Sequence, residues 1–448
     1  MNLKEIAELA ARIALSSVKP KRLIEENVCR EDQNLFVGGE RVDLKAFERV
    51  YLISFGKAGE ALAENFLPFI EDYLQAGVVT GSQEYKIKGK LSLYPASHPL
   101  PDSWSLKAGE KAYELALSCG EKDLLFVLIS GGGSAHLCLP EEGLSLEDKR
   151  LTTDLLLKAG ADIKELNTVR KHLSKIKGGR LAKAAWPARV INLVVSDVTG
   201  NDLENIASGP TWWDSSTFSQ ALKVLNRAGI MEVCPESVRT VLKEGEQGRR
   251  EETVKKGDKA LKNIKSLIIG DNLKALYAAK GKLRELGLET IILTSEDSGE
   301  AQEAARKYIR RLGEFVSKVK LEGRAFCLLA GGELTVTVKG RGKGGRNTEF
   351  VLSCLAEIAR RQEDFTGYDW LIMSLATDGR DGPTDSAGAW IVPETLVRAR
   401  AKNMELEEFL KNNDSYSFFQ DTGGLLLTGP TGTNVMDLRF FLLAPAHD

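Results

Sequence analysis

The chain has 448 residues, 43% of them hydrophobic and 28% charged, and its 61 basic and 63 acidic side chains leave a net charge of −2. That length predicts two or three domains, each with its own core. The balanced charge argues against recognition of nucleic acid or a membrane surface by global electrostatics, while leaving room for a local anion site.

In chain order, "MNLKEIAELAARIALSSVKP" carries acids at Glu5 and Glu8 and predicts an amphipathic helix rather than a signal peptide. No run of about 18 apolar residues exists, so no membrane partner is expected and the cytoplasm is the expected location. The first 48 or so residues are expected to alternate helix and loop. "VYLISFGKAGEALAENF" predicts a strand over 50–54, a glycine turn and a helix. Buried strands are also expected at 124–129 and 189–195. The charged segment from about 235 to 262 is expected to be an exposed connection between domains. "SLIIGDNLKALYAAKGKLRELG" starts the second unit with a strand and a helix, and "LETIILTS" gives the next strand. "AFCLLAGGELTVTVKGRGKGGRN" predicts a strand, a turn, an alternating strand and a glycine-basic loop, ahead of the helix in "NTEFVLSCLAEIARR". Strands alternating with helices predict an α/β protein with mostly parallel sheets.

The chemistry is expected where buried strands end in loops of glycine plus a polar or charged residue, because ligands of open α/β sheets bind at the carboxyl ends of strands. "SGGGS", Ser130, Gly131, Gly132, Gly133 and Ser134, can turn backbone N–H groups toward an oxyanion, helped by a following helix N-terminus. It is neither a Walker A loop nor a GxGxxG fingerprint. Lys57 in "SFGKAG" follows a strand and can act as a point charge on a phosphoryl group. "GRGKGGRNTEF" places Arg341, Lys343 and Arg346 among glycines that include Gly344 and Gly345, a polyanion contact. "NTVRKHLSKIKGGRLAK" holds Arg170, Lys171, His172 and Lys177, readable either as a ligand contact or as a solvated basic face.

Asp197 in "SDVTGND" and Asp378 in "ATDGRDGPTD" stand at strand ends. Either can hold Mg²⁺ or orient a hydroxyl, with Asx-turns and helix caps as the competing role. Asp202, Asp381 and Asp385 are expected to brace their loops. Of the histidines, His98 in "ASHPLPD" is expected in an extended or turn conformation. His136 and His172 make no metal-ligand pair, and His447 is in the tail. Six cysteines show no CxxC or Cys/His spacing and predict neither zinc nor a disulfide framework. No GxSxG elbow occurs. An anion loop, several cations and strand-end carboxylates together suit phosphoryl transfer.

"SFGKAGEA", "SHPLPD", "SGGGSA", "NTVRKHLSKIKGGRLA", "SDVTGNDLENIASGPT", "GGELTVTVKGRGKGGRN", "TDGRDGPTDSAGA" and "TGPTGTNVMDL" run in this order over nearly the whole chain. Together they resemble the glycerate 2-kinase family of the MOFRL type. The resemblance implies an ATP- and Mg²⁺-dependent kinase that makes 2-phospho-D-glycerate from D-glycerate, built of two Rossmann-like α/β domains at about 1–240 and about 260–448 with the site in a cleft between them. It implies that Lys57 and Arg346 match the family's catalytic lysine and arginine. His136, Asn201 and Thr348 depart from the family's apolar residue, acid and Gln. On this reading Ser130–Ser134 with Lys343, Gly344 and Gly345 cradle ATP. Lys57 and Arg346 neutralise charge and help hold the substrate, and Asp197 with Asp378 serves the metal. The alternatives are an NAD(P)-dependent hydroxypyruvate reductase, disfavoured by the missing GxGxxG, and a binding module without turnover. The sequence leaves self-assembly into a homo-oligomer open.

Overall fold

The computed structural model describes residues 2–322 and 324–446, which form two compact units. One comprises Pro20–Ile269, and the other joins the N-terminal residues up to Lys19 to the chain from Gly270 onward. This grouping departs from the expected split at both ends. Helix Leu3–Ser17 presents a stripe of buried alanines, Ala7, Ala10, Ala11 and Ala14, and packs on helix Asn272–Glu285, which answers with Ala275 and Ala279. Small residues on both faces let the helices approach closely. Strand Ile264–Gly270, expected to open the second unit, is instead the edge strand of the first sheet, beside Arg189–Val195. Asn192 Nδ2 donates to Ser266 Oγ across that pair at 2.7 Å.

The Pro20–Ile269 unit is built on a seven-stranded sheet. Its order is Ile264–Gly270, Arg189–Val195, Asp123–Ile129, Arg49–Phe55, Leu74–Thr80, Leu91–Tyr94 and Lys86–Lys88. Arg49–Phe55 runs parallel to both neighbours, and only the hairpin strand Lys86–Lys88 is antiparallel to its partner among the pairs whose register is defined. Asp123–Ile129 is buried at every position, as a strand covered on both faces must be. Tyr51, Ile53, Phe55, Leu125, Val127 and Ile129 share one core with helix Ser103–Leu117.

Two sequence expectations fail in this unit. Residues 28–43 are not helix and loop but a three-stranded antiparallel sheet, Val28–Glu31, Asn34–Val37 and Glu40–Asp43. Its two-residue turns carry positive φ at Asp32 and at Gly38 and Gly39, the twist that tight hairpins need. The charged 235–262 segment is not a loose connection either. It begins with helix Glu236–Glu246, whose Val238, Val241 and Leu242 pack in a helical core with Leu156, Leu166, Val169 and Phe218. The chain then returns across the unit, where Glu252 accepts from His172 Nε2 at 2.7 Å and from Phe218 N at 3.1 Å.

The second unit has a six-stranded sheet in the order Glu289–Asp297, Phe326–Gly332, Asp437–Pro445, Tyr368–Ala376, Gly388–Ile391 and Leu425–Leu426. The α/β class holds here too, but this sheet is mixed. Glu289–Asp297 and Phe326–Gly332 are parallel, whereas Asp437–Pro445 is inserted antiparallel between Phe326–Gly332 and Tyr368–Ala376. The expected alternating strand "LTVTVK" does not join the sheet. Its main chain bonds instead to the Gly299–Ala301 turn, through Thr335 N to Gly299 O at 2.8 Å and Ala301 N to Thr335 O at 2.9 Å, and to Asn413, whose Oδ1 accepts from Lys339 N at 2.8 Å. Arg439, fully buried in the inserted strand, meets Asp297 at 3.2 Å and Asp437 at 3.4 Å. No helix among the described residues is long and apolar enough to cross a membrane.

Helix Arg346–Arg360 starts on the fully buried carboxylate of Asp381, which accepts from Asn347 N (2.9 Å), Thr348 N (2.8 Å) and Thr348 Oγ1 (2.8 Å). Asp381 is therefore the brace expected from sequence. Removing it strands buried donors at about 1–3 kcal/mol each and deletes a cap. Asp381→Ala is expected to lose about 2–4 kcal/mol in urea unfolding. A second prediction concerns acid. Burial raises the pKa values of Glu252 and Asp214, but hydrogen bonds and charge from His172, Lys171 and Ser216 more than offset it and hold both at about 2. Carboxylates depressed in the folded state contribute stability above their unfolded values and lose it as pH falls through the folded ones. Thermal unfolding should therefore show Tm falling between about pH 4.5 and pH 2, and Glu252→Gln should flatten that fall.

Candidate active site

In the Pro20–Ile269 unit, Arg49–Phe55 and Asp123–Ile129 are adjacent but not consecutive, and the chain progresses outward on either side of them. This is a topological switch point, where loops at the carboxyl ends diverge and leave a crevice. The loops leaving that edge are 56–58, 95–102, 130–134 and 196–199, which carry Lys57, His98, the SGGGS glycines and Asp197.

The two central loops are bonded to each other. Ser130 N donates to Phe55 O at 3.0 Å, Ala58 N donates to Ser130 Oγ at 3.0 Å, and Lys57 N donates to Gly131 O at 2.9 Å. Gly56 has φ +108°, and a Cβ there would stand 2.4 Å from the Ser130 carbonyl oxygen, so this junction requires glycine. Ser130 is 3% exposed and its amide and hydroxyl are engaged in the junction, so it is a brace rather than a phosphate contact. The N–H groups of Gly131 and Gly132 make no hydrogen bond among the described residues. A Cβ on Gly132 would lie 2.7 Å from His98 Cδ2 and 3.3 Å from Lys57 Cγ, so these residues converge on one point. The expected helix N-terminus is slight: Gly133–His136 is a single turn.

Ser134 Oγ pairs with Ser208 Oγ at 2.8 Å. Ala207 and Ser208, in "ASGPT", hold φ of 51° and 62°, left-handed values that are strained for residues with a side chain. Asp202 accepts from Glu204 N at 3.0 Å and Asn205 Nδ2 at 2.6 Å, the loop brace expected of it. Below these loops lies a cavity of about 270 Å³ whose lining includes His98, Gly132, Ser134, Lys149, Arg170, Lys177 and Asp197.

The basic segment Arg170–Lys177 does not face solvent. Lys171 is buried against Asp214 and Glu204, each at 3.1 Å, and His172 is fully buried. Arg170 and Lys177 turn instead to the cavity, joined by Lys149 from helix Leu146–Lys158. Burial pushes the Lys177 ammonium down to about 7, with repulsion from Lys149 and Arg170 adding to it, and burial lowers Lys149 and Arg170 as well. His136, stacked at 6.1 Å on His98, is pushed down to about 4 by burial and then by the charges of His98 and Lys57. Lys149 went unrecognised in the sequence. Its signal is a lysine in line with Thr152 and Leu156, on the inward face of its helix.

The remaining candidates belong to the other unit. Arg346 grips Asp437 with both ends of its fork, at 2.7 and 2.9 Å, and reaches Glu333 at 2.8 Å. Burial opposes its charge, but Asp437 prevails and holds the guanidinium firmly protonated. The glycine-basic loop is not an open phosphate cradle. Arg341 N and Lys343 N donate to the side chains of Asn412 and Asp414, and Gly345 N donates to Thr348 Oγ1. A Cβ on Gly344 would stand 2.3 Å from Ser415 Oγ, and one on Gly345 2.4 Å from Asp381 Cγ. These glycines admit a close main-chain approach, a structural use beside the cofactor role expected of Lys343, Gly344 and Gly345. The Lys343 ammonium lies 3.9 Å over the Tyr416 ring. Asp378 accepts from Arg380 N at 3.0 Å, an Asx-turn, and Asp385 braces Tyr416 through a 2.7 Å hydrogen bond.

Among the described residues no group of three or more His, Cys, Asp or Glu side chains is arranged to hold a metal ion. Mg²⁺ commonly takes one or two carboxylates and completes its shell with water and substrate phosphate. Asp197, on the cavity wall, fits that minimal protein share.

Residues 6–243 match a family described as a domain of unknown function, DUF4147, and residues 326–437 match the MOFRL family. A glycerate 2-kinase of Pyrococcus horikoshii is 40% identical over 443 residues, covering 97% of this chain and 96% of that one. The D-glycerate 2-kinase of Thermotoga maritima is 38% identical over 445 residues and 99% of both chains. Human glycerate kinase is 37% identical over 452 residues, with 89% of this chain and 85% of that one covered. The crystal structure of the Thermotoga maritima glycerate kinase matches with a TM-score of 0.81 at 37% identity over 99% of both chains. Identity of this order, sustained from end to end, means that the chain belongs to the MOFRL-type glycerate kinase family.

Proposed function

We propose that this protein is a glycerate 2-kinase that transfers the γ-phosphoryl group of ATP to the 2-hydroxyl of D-glycerate, yielding 2-phospho-D-glycerate and ADP. The observation that carries this reading, within the family, is the cation-lined cavity at the switch point, with two unengaged glycine amides at its rim. Small anions and phosphate oxygens are what such a site attracts.

In the transfer the hydroxyl oxygen forms the new P–O bond as the bond from the γ-phosphorus to the departing ADP oxygen breaks. Charge on the equatorial oxygens must be held in place, which is where this chemistry gains most of its rate. Lys57 supplies a point charge to those oxygens, supported by its place against Gly132. The Gly131 and Gly132 amides supply hydrogen bonds to the same oxygens. Asp197 orients the hydroxyl and takes its proton, or holds the metal. A Mg²⁺ held in part by Asp197 would neutralise part of the phosphate charge. Arg346 is a positioning residue here, since its fork is committed to Asp437. Asp378 serves its own turn before any metal.

With D-glycerate, ATP and Mg²⁺, ³¹P NMR should show 2-phosphoglycerate accumulating as ATP is consumed. 3-Phosphoglycerate alone, or no ADP release, would overturn the assignment. Lys57→Ala should lower kcat by about 10²-fold or more at unchanged Tm; full activity in that variant would remove Lys57 from the transfer step.

A further inference from the structure

Neighbouring cations in one helix are treated in opposite ways. Lys171 is buried and matched by Asp214 and Glu204, each at 3.1 Å. Arg170, one residue earlier, lines the cavity and forms no ion pair among the described residues. Lys177 is 3% exposed and reaches only the Ala207 carbonyl, at 3.4 Å. Lys149 is the extreme case: it is 6% exposed and its ammonium has no hydrogen-bond partner among the described residues. Burying an unpaired ammonium is costly, so a chain that neutralises Lys171 and leaves Lys149 bare has a reason outside its own stability.

The cavity itself narrows the choice of ligand. About 270 Å³ is at the small end of ligand pockets, which run from roughly 300 to 1,000 Å³. A nucleotide would overfill it, whereas a three-carbon acid would not. The lining also offers Ser134 and His98 as polar partners and Asp197 as the acid at the wall, a set suited to hydroxyl groups.

Resting on the kinase reading, we propose that Lys149, Arg170 and Lys177 form the seat for the carboxylate of D-glycerate, with Lys149 as its central contact. The seat completes the coordination that these cations lack in the free protein and orients the 2-hydroxyl toward the loop of Gly131 and Gly132. It separates the acid from the nucleotide: the buried cations grip the acid, while Lys57 and the glycine amides meet the phosphoryl group.

The test uses the full chain, its Lys149→Met variant and, in case that variant does not fold, Lys177→Met judged by the same criteria. Met keeps the length of the side chain and removes the buried charge. The Lys149→Met protein should therefore melt at or above the wild-type Tm without ligand. Its KM for D-glycerate should rise at least about tenfold, a loss typical of a hydrogen bond to a charged group, while its KM for ATP stays within about twofold. D-glycerate should raise the Tm of the wild type and leave that of the variant unmoved. If the wild type phosphorylates D-glycerate and the variant keeps both its KM for the acid and its ligand-induced Tm shift, the seat is overturned and the kinase reading stands. If the wild type does not turn over D-glycerate, the kinase reading falls, and the seat is decided by small carboxylates such as D-lactate alone. A wild-type Tm rise that Lys149→Met abolishes supports the seat, and no rise overturns it.

Discussion

The structure around the site depends on one junction, in which Ser130 and the Gly56–Ala58 turn tie together two parallel strands that the chain visits far apart. Parallel neighbours that are not consecutive have no local loop to fix their ends, so their carboxyl termini must be joined by hydrogen bonds. Ser130 supplies that bond with its main chain and its hydroxyl together, and Gly56 makes room for the Ser130 carbonyl. The Lys57 amide, held on the Gly131 carbonyl, starts the lysine at a set point above the glycine loop. Ser130 thereby sets where the amides of Gly131 and Gly132 stand.

Charge is distributed on a consistent principle in both units. Where a buried cation is structural, its acid is present: Lys171 with Asp214, and Arg439 with Asp297 and Asp437. Such pairs roughly balance desolvation against attraction and fix geometry more than they add stability. The cavity cations break the pattern, and they do so at the carboxyl edge of the sheet, where binding sites of this architecture form. The left-handed strain of Ala207 and Ser208 is beside the same cavity, and Lys177 is held to the Ala207 carbonyl. Strain and unmatched charge are both costs that a stable fold would shed, and their coincidence at one place is what distinguishes a site from a core.

The strands, the α/β class and the order of motifs were legible because they rest on local apolar periodicity, as in "LLFVLIS" and "VINLVV". What was hidden depended on partners distant in sequence. The insertion of Asp437–Pro445 antiparallel between two strands cannot be read from its own residues, which look like any buried strand. The hairpins at 28–43 were missed because their strands are short and polar on one side. The 235–262 stretch reads as a solvated connection because its charges are visible in sequence and their burial partners are not; Glu252 is answered by His172, eighty residues earlier.

Glycine-rich loops show most directly why a site cannot be read from composition. Gly132 in "SGGGS" and Gly344 in "GKGG" both stand in glycine-rich loops. In both the absent Cβ admits a neighbour, His98 beside Gly132 and Ser415 beside Gly344. What separates the two loops is the fate of their amides: those of Gly131 and Gly132 stay unengaged among the described residues, while side chains of Asn412, Asp414 and Thr348 take those of Arg341, Lys343 and Gly345. The basic glycine loop at 340–345 belongs to the scaffold that starts helix Arg346–Arg360.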